Sequence, residues 1–173
     1  MRYILLFAAL TLFACSQPKT KETKAYRDLK GFFESEALRL QRAKAEVKKT
    51  VGRNSDSETK VIKNINWKTE LSLFTESDIN KPAWRDSYKV LQQSGKTTYL
   101  ATDSNLRTRE LSFIIDAKGK ITKVNIVNQA QNLLYSTTEQ LIYIPDSIYQ
   151  INKQQHVVLL GENRYLIIGK FLR

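Results

Sequence analysis

The chain carries one cysteine, one histidine and three prolines in 173 residues, with six glycines and only 17 acidic side chains against 28 Lys and Arg. A lone cysteine excludes a disulfide framework. Together with a lone histidine, His156, it leaves too few ligands for an ordinary zinc or copper centre. The glycines stand singly, so the sequence spells neither a P-loop nor a dinucleotide fingerprint. It also lacks the G-x-S-x-G elbow and the calcium loop of alternating acids. No apolar run reaches the roughly 20 residues that cross a bilayer as a helix. These absences predict no metal, no cofactor, no catalytic residue and no enzymatic activity.

What is present begins at the first residues. Arg2 supplies a positive start, Tyr3 to Phe13 an apolar stretch, and Ala14 the small residue a signal peptidase requires. The stretch stops at the cysteine. Leu12-Phe13-Ala14-Cys15 resembles the lipobox of bacterial lipoproteins, which implies that residues 1–14 are a signal peptide and that Cys15 is the lipidation site. Two or more acyl chains, such as palmitate, hold a protein stably at a membrane, at about 0.8 kcal/mol per buried CH₂. The location expected from this is the bacterial cell envelope, lipid-anchored. Ser16 in place of an aspartate after the cysteine favours the outer membrane over the inner.

The charge is uneven. The net charge of +11 is densest near the expected anchor, with eleven basic and five acidic residues between Lys19 and Arg53. A basic segment beside a membrane gains about 1 kcal/mol per Lys or Arg from anionic head groups. The export signal removes nucleic acid, the usual partner of a basic protein. Partners expected are therefore the membrane, through the lipid anchor, and an envelope protein, with no nucleic acid.

Ser16–Ala25 (SQPKTKETKA) is polar and reads as part of a tether, residues 15–25, that reaches at most about 30 Å. From Tyr26, Leu29, Phe33, Ala37, Leu40, Val47 and Val51 recur at helical spacing and predict one helix over 26–51, capped by Asp28 and closed at Gly52. Val61, Ile62, Ile65, Trp67, Leu71 and Phe74 predict a second helix, ended before Pro82. Beyond Trp84, β-branched and aromatic runs predict strands, among them 111–115, 121–127, 133–135, 141–144, 157–160 and 165–168, with DAKGK as a hairpin turn around Gly119. The fold class expected is α+β: one domain over 26–173, helical over 26–80 and β-rich over 86–173. An N-terminal antiparallel helix hairpin would pack on a C-terminal antiparallel meander of about seven to eight strands. Its core should set Phe113, Ile115, Tyr143, Leu159 and Ile167 against Phe33, Leu40, Leu71 and Phe74.

The runs ELSLFTESDINKPAWRDSY (70–88), LLYSTTEQLIYIP (133–145) and LLGENRYLIIG (159–169) resemble a group of uncharacterised bacterial lipoproteins. That resemblance implies an envelope location and helices followed by a β-rich half; it carries no activity. The acids Asp78, Asp86, Asp103, Glu110, Asp116, Glu139, Asp146 and Glu162 mostly stand beside turn residues, where carboxylates are solvated or form turns. Residues 76–88 read as a linker with Trp84 and Tyr88 tucked into the core; the alternative is a partner-binding loop, with Trp84, Arg85 and Tyr88 as its candidate binding residues. The function expected is that of a non-catalytic binding or structural module anchored in the envelope. The alternative is a carrier or sensor of a lipid or other hydrophobic ligand, suggested by strands apolar on both faces.

Overall fold

A computed structural model describes residues 25–172, so Cys15, the expected signal peptide and most of the expected tether lie outside the described residues. The described chain is mostly β. Its elements run α1 (Leu29–Arg42), β1 (Val47–Arg53), β2 (Asp56–Ile62), α2 (Trp67–Glu70), α3 (Ser72–Glu76) and a single 3₁₀ turn (Pro82–Trp84). Seven further strands follow: β3 (Tyr88–Gln93), β4 (Lys96–Ala101), β5 (Thr108–Ile115), β6 (Ile121–Gln131), β7 (Tyr135–Ile144), β8 (Ile148–Val157) and β9 (Gly161–Phe171). All nine strands form one sheet in the order β2-β1-β9-β8-β7-β6-β5-β4-β3, with every neighbouring pair antiparallel.

This overturns the α+β fold with its helix hairpin. The long helix expected over 26–51 stops at Arg42. Lys44 takes a left-handed conformation, φ 47°, and its N–H bonds to Gln41 O while Ala45 N–H bonds to Leu40 O. Those two bonds close a Schellman ending at a lysine, eight residues before Gly52, the glycine expected to close the helix. Beyond it, Val47, Thr50 and Val51 are β-branched, and the segment pairs with Thr59 and Val61 on β2 rather than coiling. Asn54, at φ 55°, turns the chain between β1 and β2. The second helix is therefore a strand followed by two short helices of four and five residues.

The nine strands have two unequal faces. On one, α1 and the α2–α3 pair lie over the sheet, and their apolar side chains meet those of the strands. Phe33 is fully buried against Phe74 and Tyr143, with ring centroids 4.9 and 5.1 Å away. Trp67 stacks on Phe171 at 5.4 Å, and Tyr149 meets both rings edge-on. Gly169 has no side chain because the ring of Tyr149 occupies the space a Cβ would need. The opposite face alternates polar and aliphatic residues, as in Lys123, Asn125 and Val127 of β6, and these are half-buried among their own neighbours. The two sheet edges are β2 and β3. β2 is protected by its charges, Asp56, Glu58 and Lys60, which make a poor template for another strand. Among the described residues, no helix is long and apolar enough to cross a membrane.

Two of the expected strands are turns. Residues 133–134 belong to the β6–β7 connection and 158–160 to the β8–β9 connection, so Leu159, expected in the core, is 98 % exposed. Phe113 and Tyr143 are fully buried, while Ile167 packs against the core from its margin.

Candidate functional site

Of the three candidate binding residues, two serve the fold. Asp78-Ile79-Asn80 and the 3₁₀ turn wrap the point where the chain enters the domain. Asn80 Oδ1 accepts from the backbone N–H of Tyr26 at 3.0 Å, and its Nδ2 donates to Arg27 O at 3.1 Å. The Tyr26 hydroxyl donates to Trp84 O and contacts Arg85 O, and it also accepts from Tyr88 N–H at 3.3 Å. Tyr88 is buried, with its hydroxyl donating to Thr108 O at 2.8 Å. Burial pushes its phenol up to about 12, because the phenolate would be left in poorly solvated surroundings. Trp84 packs against the core margin under the ammonium of Lys81, 4.0 Å from the ring centroid. Arg85 alone stays exposed, on a cleft of about 930 Å³. The segment is a clasp on the domain's entry point.

That cleft lies between the start of α1 and the segment after α3. Lys30, Lys81, Arg85 and Arg107 line it together with Asp28, Glu34, Glu76 and Asp78. Equal numbers of both signs leave it without a bias for one charge, and its charged lining does not suit a hydrophobic ligand. A second cleft, about 340 Å³, opens beside Arg39 and Asp146.

Two carboxylates hold helices to the sheet. Glu36 of α1 accepts from the Tyr143 hydroxyl at 2.6 Å and from two guanidinium nitrogens of Arg39 at 2.9 Å each. Arg39 reaches on to Asp146 at 2.8 Å. Glu70 of α2 accepts from the Tyr149 hydroxyl and from Lys49 Nζ, each at 2.6 Å. Both phenols are held above their ordinary range, first by burial and then by the carboxylate that accepts their proton in a hydrogen bond. Asp103 and Asp116 close local turns through backbone N–H groups at 2.8 to 2.9 Å.

Glu139 departs from the turn pattern. It sits mid-strand on the helix-covered face, buried, with Arg107 at 2.9 Å and Lys153 at 3.7 Å. Asn128 beside it donates to Ser77 Oγ and Glu139 Oε2, which ties the end of α3 to β6 and β7. Asn128 Oδ1 is buried without a hydrogen-bond partner. Two polar residues facing the core on adjacent strands are legible only from register, since Asn128 pairs with Glu139 across β6 and β7. His156 is exposed near the end of β8, opposite Glu162. Among the described residues, no three His, Cys, Asp or Glu side chains converge on one point that could hold a metal ion.

No family model, curated protein or solved structure matches the chain.

Proposed function

We propose that the protein is a lipid-anchored envelope lipoprotein, held at the membrane through Cys15, whose β-rich domain acts as a non-catalytic binding module. The observation that supports this reading most is how the acids are spent. Glu139, which is buried, and Glu36 and Glu70, which are partly buried, each hold a helix or strand in place. A general acid or base must instead be free to reach a substrate. The hydrophobic-carrier alternative draws less support, because Phe33, Phe74, Tyr143, Trp67 and Phe171 fill the space between helices and sheet. The clasp around Tyr26 suits an anchored protein, since it fixes the point where a tether would pull on the domain.

The test is incorporation of labelled palmitate together with membrane fractionation. The wild-type chain is expected to carry label and sediment with membranes. Cys15→Ser should lose both, with an unchanged circular dichroism spectrum. Unlabelled, fully soluble wild-type protein would sink the lipoprotein reading.

A further inference from the structure

Aliphatic side chains crowd one end of the sheet, where no described residue covers them. The β6–β7 turn presents Leu133 and Leu134, 95 % and 70 % exposed, and the β8–β9 turn presents Val158, Leu159 and Leu160, 50 %, 98 % and 78 % exposed. The two turns are neighbours because β7 pairs with β8. Val158 N–H donates to Leu134 O at 3.0 Å, so they form a single tip. Its shape is held from within. Asn132 Oδ1 accepts from the N–H groups of Leu134 and Tyr135 at 2.8 and 2.9 Å, and Gly161, at φ 75°, closes the second turn. Contiguous exposed apolar surface on this scale marks an interaction site.

We infer that this double-hairpin tip inserts into the head-group and upper acyl region of a lipid bilayer. The side-chain chemistry favours lipid over protein. Protein hot spots are built on Trp, Tyr and Arg seated in pockets, with Leu and Val under-represented, whereas the tip is purely aliphatic and protrudes. The tip turns themselves carry no charge. One residue behind them stands Tyr135, 39 % exposed, an apolar ring with a polar end of the kind that settles at head-group level. The nearest charges on these hairpins, Glu162 and Arg164, offset each other, with His156 opposite Glu162 and Arg53 on β1 opposite Tyr165. Insertion is thus driven by apolar burial and is nearly indifferent to salt.

The inference deepens the anchored-lipoprotein reading and rests on it for location. Cys15 is ten residues from Ala25, a reach of about 30 Å, and an eleven-residue strand such as β9 is about as long. The anchor therefore lets the tip end of the sheet meet the same bilayer. It also supplies a high local lipid concentration, so that a weak insertion suffices.

The test uses the intact acylated protein on vesicles of neutral phosphatidylcholine. With Cys15 acylated, Leu159→Cys provides the sole free thiol for a spin label, and Lys118→Cys, in the turn at the opposite end of the sheet, serves as control. The label at 159 is expected to collide more with oxygen, which dissolves in lipid, than with an aqueous nickel chelate; the label at 118 should do the reverse. A 159 label as wet as the control overturns the inference. A 159 label that is wet on vesicles but immobilised in native membranes also overturns it, and indicates a protein partner. In a second arm, the Cys15→Ser chain is sedimented with the same vesicles. Leu133→Asp and Leu159→Asp should each lower partitioning on the order of tenfold, at low and high salt alike. Unchanged partitioning again overturns the proposal. Because this arm uses no lipid anchor, it stands even where palmitate labelling fails, so failure of the anchor and failure of the tip are told apart.

Discussion

The waist and the tips of strands β7 and β8 are built from the same residue types and meet opposite fates. At the waist, the stretch from Glu139 to the β7–β8 turn, Leu141, Tyr143, Tyr149 and Ile151 lie beneath α1 and the α2–α3 pair and are buried. Ten residues or fewer away, Leu134, Leu159 and Leu160 stand in solvent. Apolar content does not distinguish the two regions; what lies above them does. The helices span the waist and are bolted there through Glu36, Glu70 and the Ser77–Asn128–Glu139 cluster, and they stop short of the tips. Burial on this sheet is a property of coverage, and the exposed leucines are the part the fold leaves for something else to cover.

The contrast breaks most severely if the waist is hollowed. Phe33→Ala removes the ring that meets Phe32, Phe74 and Tyr143, and should cost about 3 to 5 kcal/mol. Urea unfolding followed by circular dichroism would show a lower midpoint at unchanged slope. A loss below 1 kcal/mol would mean that the helices do not seal this face.

Next in size is the polar bolt at the edge of the waist. Glu139 is buried, while Arg107 and Lys153 are each about a third exposed. Glu139→Ala therefore frees two cations that can turn to water, but takes one acceptor from buried Asn128. About 1 to 3 kcal/mol is expected, less than for removing one member of a fully buried ion pair. The same unfolding experiment checks it, and high salt should change the result little.

Smaller again, and felt only in alkali, is the loss of stability tied to the buried phenols. Tyr88 is pushed up to about 12, and Tyr143 and Tyr149 lie higher still, against an ordinary value near 10. In the unfolded chain these groups lose their protons first. Their share of stability is thus fully present below about pH 10 and is lost as pH rises through the folded values. Absorbance at 295 nm should show them titrating only as the chain unfolds. Three buried phenols that titrate near pH 10 in the folded protein would contradict their burial.

The sequence shows its turn residues and β-branched runs well and its helix period badly. Leu29, Phe33, Ala37 and Leu40 do form one face of α1 with Asp28 as its cap, donated to by Gly31 N–H at 2.8 Å. The same spacing continues by accident into Val47 and Val51, which are strand residues. Nothing local announces that a lysine, Lys44, will take the left-handed position that ends the helix. The tips are hard to see in the sequence for a related reason. Leu-Leu-Tyr and Val-Val-Leu-Leu have strand composition, and only the pairing of Asn132 N–H with Tyr135 O reveals that the chain has already turned. Glu139 and Asn128 follow the same logic, since a polar pair at the buried face becomes visible only when β6 and β7 are in register.

The smallest effect is expected at the tip, and its smallness carries the argument. Leu159→Asp replaces a side chain that touches little protein, so the transfer and cavity costs that make core substitutions expensive are absent. Stability should change by no more than about 0.5 kcal/mol, the range of ordinary surface substitutions. Leu141→Asp, on the waist of the neighbouring strand, should by contrast prevent folding, because it buries a carboxylate in the core between Ile126 and Ile151. Thermal unfolding of the two variants side by side tests the comparison directly. If Leu159→Asp costs 2 kcal/mol or more, the tip leucine is packed against the domain and the distinction between waist and tip collapses. If it costs nothing, Leu159 is kept at the surface without any return in folding stability, and its role has to be sought in what it touches outside the chain.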